Sequence, residues 1–528
     1  MNRRWWFLLL LLFGLGFAPQ PVQAETKAPR VLLAYDSLNA PAGKAARLTQ
    51  LQQLLTAAGL RVHRQKIAAY HAGELASGHY AGVVTMINWD DAHLTNKAFT
   101  AERKAFVGIK LHIGGNLQQD ELQGLHAQAT PLYRRQLVAT WPGQAGTQLL
   151  PYTTPVWVLN QTPKQAQNLG TLSIQGSNQQ YPYATLVGRH GYLPYFDGRG
   201  QSELVGAEVV ARLFKQTGTK APLFVLTKVT PYTNLTRLRA VGRYLANQGI
   251  PFAVSATSVA RNTELAAFAH YTAALRALMA DGGVIFLQTP AVGDGLVGTQ
   301  TLANDMTSTV TALAQRHVFA IGTSFTTYWN RDRLYRTQAL SGMNTVIQLP
   351  DPAAQTYAKE DDQAQAFKTA FATVAATSLT TQRYGTMLAR QQLDSRLPLG
   401  VTFAMPAGRR QWQDFKRQVR QFHGTWLNPQ TLTTQYQVGM ITLAYQQGQY
   451  LVNGRAATGE YHTPSALKLE KTPQTWADRF FADQSKVMWL FFAVAFSVMA
   501  VLLGIGRRVY VRMYRRPQPE KGGSHDDS

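Results

Sequence analysis

The residues best placed for chemistry sit where short β-branched or aromatic runs end. Thr227-Lys228 closes the run from Phe224, Ser255 to Thr257 follows Pro251-Phe-Ala-Val254, and Gln288 to Asp294 follows Val284-Ile-Phe-Leu287. They offer hydroxyls, the Lys228 ammonium, the Gln288 amide, the alkyl group of Val292 and the Asp294 carboxylate. Such a set exchanges hydrogen bonds with a polar ligand. Burial can turn a lysine into a base by lowering its pKa, but a structural or ligand-contacting role suits Lys228 better. A second group, Tyr328, Trp329, Asn330 and Arg331, sets a stacking plane beside forked donors, which suits a glycan. Cysteine is absent, which excludes thiol nucleophiles, Cys-ligated metals and disulfide-stapled scaffolds.

Other candidates carry less. Asp90, Asp91 and His93 have cation-ligand chemistry, although loop residues of these types more often cap and solvate. Gly43-Lys44 lacks the G-x-x-x-x-G-K-S/T spacing, and no G-x-G-x-x-G follows the first strand, so no phosphate cradle is expected. Arg409, Arg410, Lys416, Arg417 and Arg420 make one helix strongly basic, and His423 stands near its end. A solvated face is the ordinary reading of such a charge run; an anionic polymer is the alternative.

The elements that must position these groups alternate regularly. Strand, helix, strand, helix and strand follow one another from Leu223 to Leu287, which implies right-handed crossovers and a parallel sheet or barrel. Chemistry in such folds collects at the carboxyl ends of the strands. Residues 25–130 show the same alternation and predict a Rossmann-like or flavodoxin-like α/β domain. Residues 131–220 are richer in short extended runs with Gly, Pro and Asn, which predicts a β-rich connecting region. After Asp294 the rhythm continues: a strand at His317–Ile321, a loop over 326–333, a strand at Asn344–Leu349, a polar helix over 359–377, and a strand at Val401–Ala404. An irregular (β/α) barrel over 221–434 accounts for this, with a terminal strand and stalk over 435–486.

The segments Leu226-Thr-Lys-Val-Thr-Pro231, Leu245-Ala-Asn-Gln-Gly-Ile-Pro-Phe252 and Gly282-Gly-Val-Ile-Phe-Leu-Gln288 resemble the polysaccharide deacetylase (NodB-like) superfamily, in particular a branch found among Gram-positive envelope proteins. The resemblance implies a barrel of that type. Active members hold a divalent metal with acidic residues after the first strand and a His-x-x-x-His pair after the third. The matching positions here are Thr227, Lys228, Gln288 and Val292, so the resemblance implies a degenerate site with no metal, no cofactor and no catalytic residues. An ammonium repels a cation where a carboxylate would hold it.

The chain's ends and charge complete the picture. With 528 residues and 45% hydrophobic content the chain can bury large cores, in about two or three domains. Residues 1–24 carry the charged, apolar and small-residue parts of a secretory signal. Residues 487–506 predict a transmembrane helix, followed by a basic tail over 507–528; positive residues stay on the cytoplasmic side, which places the large amino-terminal portion outside the cell. A net charge of +23 then points to an envelope polysaccharide or another anionic polymer rather than to nucleic acid. The expectation is a membrane-anchored glycan-binding protein, or one that supports exopolysaccharide assembly. Two alternatives remain: an active carbohydrate esterase or hydrolase using Asp294, His317 and Asp332, or a scaffold for a membrane glycosyltransferase.

Overall fold

The computed structural model describes residues 28–36, 44–89, 94–141, 147–152, 155–291, 301–352, 355–380, 393–422, 424–457 and 476–514. It forms two compact units, 1–461 and 462–528. The expected signal segment, 1–24, lies outside the described residues.

The first unit begins as an α/β sheet. Strands β1 (Arg30–Tyr35), β2 (Arg61–Lys66), β3 (Tyr80–Ile87) and β4 (Ile109–Gly114) are parallel neighbours in the order β2-β1-β3-β4. Helices α1 (Lys44–Ala57), α2 (Lys97–Ala105) and α3 (Gln119–Leu125) connect or follow them. On α1, Leu48, Leu51, Leu54 and Leu55 recur at helical spacing and are fully buried against the sheet.

The sheet does not stop at the expected border near residue 130. After the two-stranded pair β5 (Gln128–Leu132) and β8 (Val156–Gln161), strands β6 (Leu137–Thr140), β7 (Thr147–Leu149), β9 (Gln167–Ile174), β10 (Gln180–Val187) and β11 (His190–Leu193) extend it. The joint is β11, which pairs in parallel with β4, Leu111 opposite Gly191. The free edge of β4 carries a row of unpaired backbone groups, and β11 satisfies them. Most strands of residues 131–220 therefore share one sheet and one apolar core with the preceding segment, while β5 and β8 form a separate two-stranded sheet. Helix α4 (Gly200–Leu213) covers this extension.

Among the described residues, seven parallel strands then close into a barrel: β12 (Leu223–Val229), β13 (Ala253–Thr257), β14 (Val284–Gln288), β15 (Ala320–Thr326), β16 (Thr345–Leu349), β18 (Thr369–Ala375) and β19 (Leu399–Ala404). Helices α5 (Leu235–Asn247), α6 (Ala266–Ala280) and α7 (Thr301–Ala314) belong to the first three crossovers. Asn234 caps α5 by accepting from Arg237 N at 2.9 Å, and Leu238, Val241 and Leu245 form its buried stripe. Short helices α8 (Arg333–Gln338) and α9 (Ala376–Thr380) and the longer α10 (Arg409–Gln421) complete the outer layer.

The span 359–377, expected to be a helix, is largely extended. Its first part leaves the barrel and forms β17 (Gln363–Ala364), antiparallel to β2 of the first sheet. Its second part is β18, buried along its centre and paired on both sides by barrel strands, which outweighs the helical preference of alanine. Helix α1 packs against β18, and Gln53 and Gln348 exchange side-chain to backbone hydrogen bonds there. The sheet domain thus supplies part of the barrel's outer wall.

The terminal strand expected past residue 434 is part of a small sheet, and residues 458–475 of the expected stalk lie outside the described residues. Strands β20 (Thr434–Val438), β21 (Ile441–Gln446), β22 (Gln449–Val452) and β23 (Arg455–Ala456) form an antiparallel meander. Its Tyr436, Val438 and Leu443 join the apolar layer outside the strands, while Tyr445 joins the barrel's inner core with Leu223, Val284 and Ile321.

The second unit contains helix α11 (Trp476–Tyr514). Its Met488–Tyr514 stretch is long and apolar enough to cross a membrane, and the side chains of that stretch are exposed. It includes most of the expected span and continues through Arg507, Arg508 and Arg512.

Candidate functional site at the barrel mouth

The inward positions of the barrel change character along each strand. On β12 they run Leu223, Val225, Thr227; on β13, Ala253, Ser255, Thr257; on β14, Val284, Phe286, Gln288. Apolar side chains fill the amino-terminal rungs, and polar ones occupy the carboxyl-terminal rung. Ser255 Oγ and Ser324 Oγ, 2.8 Å apart, mark the level of the change. Above them opens a cavity of about 1070 Å³ to which the carboxyl ends of all seven strands contribute.

Its lining mixes apolar surface, which is the larger share, with ten uncharged hydrogen-bonding residues. Hydroxyls come from Thr227, Thr230, Ser255, Thr257, Thr326, Thr377 and Thr402, and amides from Gln288, Gln411 and Gln418. Phe415, Met405 and Leu349 add apolar surface. Helix α10 builds one wall with Gln411, Asp414 and Gln418, three positions on one stripe. Asp414, the single acid of the lining, pairs with Arg417 at 2.5 Å. Part of this hydrogen-bonding capacity is used within the wall, where Thr227 Oγ1 donates to Phe403 O, Ser255 bonds Ser324 and Gln411 Oε1 accepts from Ala407 N. A hydroxyl or amide has more than one bonding site, so the mouth can still match a ligand rich in hydroxyl or amide groups.

Lys228 reaches this wall through a β-bulge. Leu226 pairs with Val254 and Val229 with Ala256, so Thr227 and Lys228 together oppose one residue, Ser255. Strict alternation would turn Lys228 outward; the bulge, with Lys228 at φ +60°, brings it to the cavity rim. That left-handed conformation costs about 1 kcal/mol for a residue with a Cβ. The following loop is tied back on itself, with Thr233 Oγ1 donating to Lys228 O and Thr230 N donating to Thr233 Oγ1. It leaves the Tyr232 ring 97% exposed, two residues from the wall residue Thr230.

Thr227, Lys228 and Gln288 thus come together, while Val292 and Asp294 lie outside the described residues, as do Asp90, Asp91, His93 and His423. The group at 328–331 does not form a glycan contact. It is a buried 3-10 turn in which Trp329 stacks on Tyr335 at 3.6 Å between centroids. Asn330 exchanges hydrogen bonds with the backbone of Gln365, and Arg331 pairs with Glu360 and Tyr357. These groups hold the β16-to-β18 excursion and are spent on it. Asp332, fully buried, accepts four backbone N–H groups, from Leu334, Tyr335, Ala358 and Lys359. His317 precedes the amino end of β15, whereas Asp332 lies beyond its carboxyl end, so the two do not share a site. Among the described residues no group of three or more His, Asp or Glu side chains is placed to hold a metal ion.

One titratable group stands just behind the mouth. Asp351 follows the lining residue Pro350, and burial pushes its carboxyl up to about 6. The Tyr328 backbone N–H, the Arg64 and Arg331 charges and the Thr49 hydroxyl oppose that shift without cancelling it.

The mouth's makeup was only partly visible in the sequence. The α10 wall and Tyr232 were missed; the polar stripe Gln411, Asp414, Gln418, set between the apolar and basic faces of α10, was the available signal for the first. No family model matches the chain, and no curated protein matches it. Among solved structures, a putative ThuA-like protein from Bacteroides uniformis is similar over 36% of this chain and 95% of its own, at 14% identity and a TM-score of 0.26. A likeness that slight carries no argument about this chain.

Proposed function

We propose that this is a membrane-tethered, extracytoplasmic glycan-binding protein, built on a polysaccharide-deacetylase-like barrel whose catalytic site has been disarmed. The observation that carries the reading is the polar part of the lining: seven hydroxyl residues and three amides converge on one cavity. Sugar hydroxyls and N-acetyl groups are matched by such a lining, and the exposed Tyr232 ring, two residues along the chain from the wall residue Thr230, offers a stacking face. Lys228 at the rim, with Thr227 and Gln288, supports binding rather than metal-assisted hydrolysis, because the three supply no carboxylate or imidazole to hold a catalytic cation and the ammonium repels one. The apolar α11 helix supports anchoring, and the arginines at its carboxyl end support a cytoplasmic tail. In that position the protein would serve cell-surface or exopolysaccharide assembly, alongside a membrane glycosyltransferase.

The test is a calorimetric titration of the full chain in detergent micelles with short soluble glucose- and N-acetylglucosamine-based oligosaccharides, with free acetate assayed in parallel. Binding is expected with no acetate release, and Gln288→Ala should weaken it about tenfold, the worth of one or two hydrogen bonds. Metal-dependent acetate release, or binding indifferent to Gln288→Ala and Tyr232→Ala, would overturn the proposal.

A further inference from the structure

We infer that the glycan is acidic and that helices α5 and α10 form the surface that reads its charges; this rests on the sugar-binding reading of the mouth. Helix α10 has three faces. Phe415 and Val419 are buried, Gln411, Asp414 and Gln418 line the mouth, and five of the remaining eight residues are basic. Arg409, Lys416 and Arg420 follow at i, i+7 and i+11 along one stripe, with Arg410 and Arg417 on the next.

The first stripe borders α5. Lys416 lies over the Trp412 ring at 5.2 Å, and Trp412 meets Tyr244 of α5 edge to face at 5.5 Å. Arg237 of α5 reaches across the seam to donate to Ala407 O, next to the mouth, and Arg243 stands exposed on the outer side. The two helices carry eight arginine and lysine residues and one acid, Asp414, which is already paired with Arg417. Like charges at this density repel one another and lower stability unless a counter-charge is at hand. The cation rows repeat along the helix and start at the cavity wall. A linear polymer leaving the mouth across α10 would therefore set each acidic unit against a fresh arginine or lysine. Continuity with a cavity suited to sugar rings assigns the surface to an acidic polysaccharide rather than to a lipid headgroup.

The experiment uses the full chain in nanodiscs of neutral phosphatidylcholine, titrated with cello-oligosaccharides and with their carboxymethylated counterparts at low and high salt. The carboxymethylated probe should bind about tenfold tighter at low salt, an advantage that shrinks as screening shortens the reach of surface charges. The triple variant Arg243→Gln, Arg410→Gln, Arg420→Gln changes exposed residues outside the cavity lining. It should lose that advantage while binding the neutral probe as before. Equal affinity of the two probes for the unaltered chain, or an advantage that survives in the variant, overturns the inference and leaves the mouth reading intact. Binding of neither probe removes both. In glycan-free discs containing phosphatidylglycerol, hydrogen-exchange protection of α5 and α10 that depends on the three arginines would assign the surface to lipid and overturn the inference as well.

Discussion

Asp351 offers a quantitative check on how the sheet domain meets the barrel mouth. Its carboxyl lies in a half-buried position between β16 and α1, pushed up from 3.8 to about 6 by loss of water, so the ionised form is the costly one in the folded chain. One pKa unit corresponds to about 1.4 kcal/mol, which sets an upper limit of about 3 kcal/mol; residual exposure reduces this to about 1–2 kcal/mol. The sign follows from linkage. Below about pH 4 the group is protonated in both folded and unfolded chains and costs nothing. Above about pH 6 it is ionised in both, and the whole penalty falls on the folded state. In Asp351→Asn the amide oxygen can still accept from Tyr328 N, as Asp351 Oδ1 does at 2.9 Å. The contact from Gln355 Nε2, 3.1 Å from Oδ2, is lost. The variant should match the unaltered chain near pH 4 and exceed it by about 1 kcal/mol at pH 7. Urea denaturation of the full chain in detergent, followed by tryptophan fluorescence across this range, measures the difference. A variant that is less stable at pH 7 than at pH 4 would show that Arg64 and Arg331 hold the carboxylate more strongly than burial opposes it, and one offset equally at every pH would show that the two cancel; either result refutes the reasoning.

Three further substitutions test other parts of the account. Trp329→Ala removes a ring stacked in the buried turn; it should cost about 3–5 kcal/mol in denaturation while leaving oligosaccharide affinity unchanged in the protein that remains folded. Burial pushes the Glu121 carboxyl up, but His112 at 2.9 Å and Arg103 at 3.0 Å outweigh it and hold it below its ordinary value. Glu121→Gln should therefore cost about 3 kcal/mol at neutral pH by leaving buried positive charge less compensated, read as a lower denaturation midpoint. Lys228→Gly relieves the left-handed bulge and should leave stability unchanged or raise it by up to about 1 kcal/mol, whereas Lys228→Val, β-branched at the same φ, should lower it.

How much of this was legible in the sequence depended on the range of the interactions involved. Thr227, Lys228 and Gln288 could be placed because each closes a short strand, and strand ends in a parallel βα repeat converge on one face. The polar rung is visible in the same way, as period-two spacing that changes from Val225 to Thr227 and from Phe286 to Gln288. Tyr328 to Arg331 looked like a glycan contact because residue type reveals hydrogen-bonding and stacking capacity but not what consumes it. Here the consumers are Tyr335 on the next helix, and Tyr357, Glu360 and Gln365, brought in by the excursion that forms β17. The same excursion explains the misassigned helix over 359–377, where pairing with β2 and the barrel strands overrides local preference. Gln53 meeting Gln348, and β11 completing the edge of β4, are contacts between distant positions that no local pattern announces.

The most direct test of a glycan site at the barrel mouth is amide hydrogen exchange of the full chain with and without a saturating oligosaccharide. Slowed exchange is predicted at 227–233, 255–258, 286–289 and 404–418, the strand ends and helix that enclose the cavity. Protection confined to other surfaces, with these segments unchanged, would contradict the account.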